Sequence, residues 1–139
     1  MRTLPLLFSF MIGIALLGSP TVGFAQMIVP PSASNTLAVT NPLVTLGTAI
    51  NTTGSVNINS GTNQLTYCVY YSYLIMGQQT ATSINPAIIN AVLPANSTIP
   101  LPLAAQFTPT VRGMGYVEIW VTDGNGVTLT RTTKMISVQ

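Results

Sequence analysis

The sequence predicts an all-β fold, an antiparallel two-sheet sandwich of about seven strands. Two observations carry that prediction. Short runs in which apolar and polar residues alternate recur along the chain, the pattern of pleated strands with one buried face. Between the runs fall Gly, Asn and Pro clusters placed as turns, with no linker and no internal repeat to divide two domains. At 139 residues the chain suits one domain of ordinary size.

Residues 1–25 read as a cleavable signal peptide. Arg2 supplies the positive start, Leu4 to Leu17 the apolar stretch, and Gly18, Ser19 and Pro20 break it. Gly23-Phe24-Ala25 is then a small-x-small cleavage site before Gln26. The apolar run falls short of the roughly 20 residues that span a bilayer, and no later segment replaces it; a retained N-terminal anchor is the alternative to cleavage. The expected product is therefore secreted or displayed at a cell surface, with no stable membrane span after cleavage.

The mature segment 26–40 comes first. Met27, Ile28 and Val29 are apolar, but Pro30-Pro31-Ser32 detaches them from any continuous strand. The segment is expected to be either an exchanged, assembly-forming strand or a loose start followed by an ordinary first strand. The sandwich domain itself is placed at 41–139. Leu37-Ala38-Val39 alternates weakly, Asn41-Pro42 interrupts, and Leu43 to Leu46 resumes; a strand split by proline can pass from one sheet to the other. In Ser55 to Asn59, Val56 and Ile58 should point inward, and Ser60-Gly61-Thr62-Asn63 makes the turn.

Leu65 to Met76 is the strongest strand signal. Leu65, Tyr67, Val69, Tyr71, Tyr73 and Ile75 share the expected core parity; Thr66, Cys68, Tyr70 and Ser72 share the other. Gly77 to Ser83 is a polar loop. Ile84 to Leu93 fits a short helix started by Asn85-Pro86, or a strand. In Thr98 to Leu103, Pro100 and Pro102 remove every second amide donor, so this strand should lie at a sheet edge. Tyr116 to Thr122, with Val117, Ile119 and Val121 inward, enters a hairpin through Asp123-Gly124-Asn125-Gly126. The return strand changes apolar parity between Leu129 and Ile136, and a bulge near Arg131 to Lys134 would repair it.

The closing run Gly115 to Val127 resembles the last hairpin of bacterial immunoglobulin-like or fibronectin type III-like domains. Leu93-Pro94-Ala95-Asn96-Ser97-Thr98 is similar to the loop that enters a middle strand of such domains. The resemblance implies an immunoglobulin-like sandwich and no catalytic residue, since such domains mostly bind, space or assemble. The chain departs from the family in lacking the paired inter-sheet cysteines. Tyr116 also stands on the wrong parity for the tyrosine corner.

Charge and chemistry narrow the function. Charged residues make up 4% of the chain against about a quarter in ordinary domains. Arg112, Arg131 and Lys134 face only Glu118 and Asp123 beyond the leader. So few cations exclude nucleic acid as a partner, and so little charge gives weak protection against self-association. Histidine is absent, which removes the commonest general base and any Ser–His or Cys–His nucleophile. Glu118 and Asp123 are separated by roughly 16 Å of extended strand and point to opposite faces, too far for a glycosidase pair. Glu118 is read as a solvent-facing strand residue and Asp123 as a turn residue. One Asp is too few for a calcium loop, so no metal and no cofactor is expected. Cys68, the sole cysteine, is read as a buried thiol, with an intermolecular bridge as the alternative. Asn51 and Asn96 stand in glycosylation sequons, unsurprising in a chain this rich in Asn and Thr.

Tyr70, Tyr116 and Trp120 are the candidate binding residues. Tyr70 and Trp120 should lie on the outward faces of neighbouring central strands with Tyr116 beside them, unless a second layer such as the N-terminal segment covers them. Two roles follow, neither of them enzymatic. One is a structural or adhesive surface domain that self-assembles into filaments through β-strand contacts with copies of itself. The other is a carbohydrate-binding or accessory module that takes a polysaccharide on the three aromatics.

Overall fold

The computed structural model describes Gly23 and residues 25–139. The signal-peptide reading falls on the segment 1–25, almost all of it outside the described residues. Among the described residues eight strands form: β1 (Ser32–Val39), β2 (Leu43–Val44), β3 (Ile50–Asn59), β4 (Leu65–Ile75), β5 (Thr82–Leu93), β6 (Thr98–Phe107), β7 (Gly113–Asp123) and β8 (Thr128–Val138). They make two sheets, in the orders β1-β3-β6 and β2-β8-β7-β4-β5. The chain is thus an all-β sandwich. Among the described residues no helix is long and apolar enough to cross a membrane.

The proline at the first break does switch sheets. β1 pairs antiparallel with β3 along its whole length, whereas β2 pairs with β8 in the other sheet, and in parallel. That pair is the exception to the expected antiparallel pattern. Asn41 pins the crossing: its Nδ2 donates to the Ala49 carbonyl (2.8 Å), and its Oδ1 accepts from the Asn51 amide (3.1 Å). Ahead of β1, Val29 is tied to the β3–β4 turn, its carbonyl accepting from the Thr62 amide at 3.0 Å. Met27 and Ile28 stay exposed.

The parity readings hold through the core. Every odd residue of β4 from Leu65 to Ile75 is buried, as are Val56, Ile58, Val117, Ile119 and Val121. Tyr73 stacks on Phe107 across the sheets, ring centroids 4.1 Å apart. Ile84 to Leu93 is part of strand β5 and not a helix; pairing with β4 decides it, running from Leu93 opposite Leu65 to Ile88 opposite Tyr70 before the register slips. Leu93 to Thr98 carries the chain from the five-stranded sheet to β6, an edge strand and not a middle one.

The Asp123 turn forms as expected. The Asp123 carboxylate accepts from the Asn125 and Val127 amides (2.9 and 2.8 Å), and Gly126 takes the left-handed φ of 81° that a side chain would resist. The bulge that restores parity lies elsewhere than expected. Val121 faces Thr130 and Thr122 faces Thr128, so the extra residue is Leu129, next to the turn and ahead of Arg131–Lys134.

One polar group in the core gives a measurable signature. Tyr71 is buried on the inner face and shares a hydrogen bond with the Thr52 hydroxyl. Burial raises the Tyr71 phenol above its ordinary value near 10, and the Thr52 bond offsets part of the rise. A raised folded-state value means a contribution that is whole below pH 10 and lost as pH climbs through the folded-state value. Stability followed by urea denaturation from pH 8 to 11.5 is therefore expected to fall more steeply in the parent than in Tyr71→Phe. Equal slopes would remove Tyr71 from the account.

Candidate functional site

The outer face of the five-stranded sheet carries the candidate residues. Antiparallel pairing of β4 with β7 sets Tyr70 opposite Trp120, and β7 with β8 sets Trp120 opposite Arg131. The three side chains stand in one row across the sheet. Tyr70 and Trp120 lie 5.2 Å apart between centroids with a tilt of 32°, and the Arg131 guanidinium sits 5.3 Å from the Trp120 ring centre. The indole Nε1 donates to the Thr128 hydroxyl at 2.9 Å, which fixes the ring's rotation. Tyr116 is on the same strand face, four residues from Trp120.

These residues surround one hollow of about 270 Å³, whose wall also includes Ser72, Ser83, Glu118 and Arg131. All three aromatics expected from the sequence are brought together there, each half-buried. The N-terminal segment does not cover them, because β1 belongs to the opposite sheet. The Tyr70 and Trp120 rings shelter one another.

Glu118 is the correction. It does not face solvent: its side chain is 7% exposed, and Arg131 grips it with two of its guanidinium nitrogens, Nε to Oε1 at 2.7 Å and Nη2 to Oε2 at 2.9 Å. Those hydrogen bonds first, and the carboxylate's charge second, hold the Arg131 guanidinium above its ordinary range. The pair turns the centre of the face into a neutral, donor-rich patch between aromatic rings. Sequence reasoning missed Arg131 because it placed the parity repair on that very stretch. With the bulge at Leu129, Arg131 returns to the outer face, diagonal to Glu118.

Cys68 is the second correction. Its thiol is free and only half-buried, on the same outer face as Tyr70. Among the described residues no three of His, Cys, Asp or Glu come together as a metal site would need.

No family model matches the chain, and no curated protein matches it either. Among solved structures, it is similar to the CARDB domain of the PF1109 protein from Pyrococcus furiosus, crystallised in complex with di-metal ions. Identity is 17% and the TM-score 0.52, over 78% of this chain and 93% of that one. The solution structure of the same domain gives 18% identity and a TM-score of 0.52, covering 78% and 95%. At such identity the likeness is one of architecture alone, and what it supports is the β-sandwich fold.

Proposed function

We propose that this chain is a secreted or surface-displayed, non-catalytic binding domain whose ligand is a neutral polysaccharide held at the Tyr70–Tyr116–Trp120 hollow. The observation that carries the reading is the convergence of three half-buried aromatics on one recess that also offers hydroxyls and a guanidinium. A sugar ring presents apolar C–H faces and a rim of hydroxyls, and that pairing of surfaces is what the recess complements. The ion pair leaves no free charge that would demand a charged ligand. Both carboxylates already have other work, Glu118 with Arg131 and Asp123 in its turn, which supports a binding role over acid–base catalysis. Export rests on the leader sequence.

A polysaccharide pull-down and glycan array on the chain beginning at Gln26 tests this. Saturable binding is expected, weakened at least about tenfold, or about 1.4 kcal/mol, by Trp120→Ala with the fold retained. No saturable binding to any glycan would overturn the reading. A structural or adhesive role stands beside it, favoured by a separate feature: β1 presents an unpaired sheet edge.

A further inference from the structure

The two sheets have four edge strands, and three of them carry a device that discourages pairing with another chain. β6 holds Pro100 and Pro102. β5 contains Pro86 and a slip in register. β2 is two residues long, and the stretch of β8 that it leaves open carries Arg131 and Lys134. β1 has none of these: Ser32–Val39 contains no proline, no charge and no bulge.

Register shows which groups β1 offers. The Thr40 amide donates to the Asn51 carbonyl at 3.0 Å, so residues of Thr40's parity bond to β3. Ala33, Asn35, Leu37 and Val39 therefore direct their amides and carbonyls away from β3, toward the edge. The same count carried across β3 turns the ring nitrogens of Pro100 and Pro102 outward, which closes the far side of that sheet. Among the described residues nothing pairs with the outer side of β1.

We infer that β1 is a homophilic interface: two copies pair antiparallel through this edge about a two-fold axis, joining their smaller sheets into one. This deepens the assembly reading and is independent of the glycan reading. The occupant is a second copy because the outward amides and carbonyls of β1 form a ladder complementary to itself about a two-fold axis, and the strand carries no charge to oppose the pairing. With Thr36 facing its own counterpart, Ala33 meets Val39 and Asn35 meets Leu37. Every outward amide then finds an outward carbonyl, and no like charges are brought together along the strand. Pro30-Pro31 and Asn41-Pro42 bound the edge at both ends. Since the contact is isologous and the opposite edges are closed, it ends at a dimer and does not propagate into filaments.

Sedimentation velocity across a concentration series, on the chain beginning at Gln26, tests this. The mass should rise and level at twice the monomer, with little dependence on salt. Thr36→Lys with Ala38→Lys, both at exposed positions, should abolish the dimer at low salt, restore it in part at 1 M salt and leave the circular dichroism unchanged. Ala33→Pro, which removes an outward donor only, should weaken it too. A monomer at all concentrations, growth beyond the dimer, or a dimer indifferent to the lysines would overturn the proposal. So would a dimer lost on deleting Gln26 to Val29, because that result would assign the contact to the tail.

Discussion

Ile119→Ala is expected to lower the stability of the domain by about 2–5 kcal/mol in urea denaturation. Ile119 is fully buried at the centre of β7, where it pairs with Tyr71 on one side and Thr132 on the other. Its Cδ1 would lie 2.8 Å from a Cβ placed on Gly54, so the small residue across the sandwich has been fitted around it. Truncation leaves a void that Gly54 of β3 has no side chain to fill, and β1, paired with β3 along its whole length, cannot settle inward alone. Asn35 makes that strand harder to move, because its Nδ2 donates to the Ile119 carbonyl (3.4 Å) and its Oδ1 accepts from Thr132. Met135→Ala, at an exposed position of the next strand, is the control and should stay within about 0.5 kcal/mol. A loss under about 1 kcal/mol for Ile119→Ala would contradict its placement between the sheets.

That placement was legible from sequence because period two repeats over Val117, Ile119 and Val121 and again, six times, in β4. A pattern of that length leaves one face to bury. The sheet switch at Pro42 and the closed edge at Pro100 were legible for a different reason: proline removes a donor, and the geometry of a ladder admits few places for that. Where the chain is chemically monotonous the sequence says less. Between Thr128 and Thr133 threonines occupy positions of both parities, so nothing in composition marks which residue is extra, and the bulge was read a few residues late.

The site suffered from that error more than the fold did. Tyr70, Tyr116 and Trp120 were found from strand parity alone, which needs only neighbouring strands. Glu118 and Arg131 belong to different strands and meet only when the hairpin register is right. Shifted by one residue, Arg131 points to the other face and Glu118 is left looking at water. Cys68 shows the converse. Its parity, shared with Tyr70 and Ser72, already places it outward, and the apolar character of Tyr67–Tyr71 is the misleading signal, since Tyr67, Val69 and Tyr71 supply it from the inner face.

Arg131→Ala should cost about 1–3 kcal/mol, and Glu118→Gln distinctly less. A pair broken inside a protein costs about 3–5 kcal/mol and an exposed one up to about 1. This pair lies between, with the Glu118 side chain 7% exposed and that of Arg131 53%. The two halves are therefore unequal. Removing the arginine strands an almost buried carboxylate, which makes no other hydrogen bond among the described residues, and uncovers the Trp120 ring as well. Removing the negative charge leaves a guanidinium free to turn to water and a neutral amide in the recess. Arg131→Lys should recover only part of the loss, since an ammonium cannot bond both carboxylate oxygens in the plane of the fork. Urea denaturation of the three variants reads the ranking directly. Equal, small losses for Arg131→Ala and Glu118→Gln would mean that water reaches Glu118 freely. The recess would then be a charged surface and not the neutral, aromatic-walled site that a sugar ring requires.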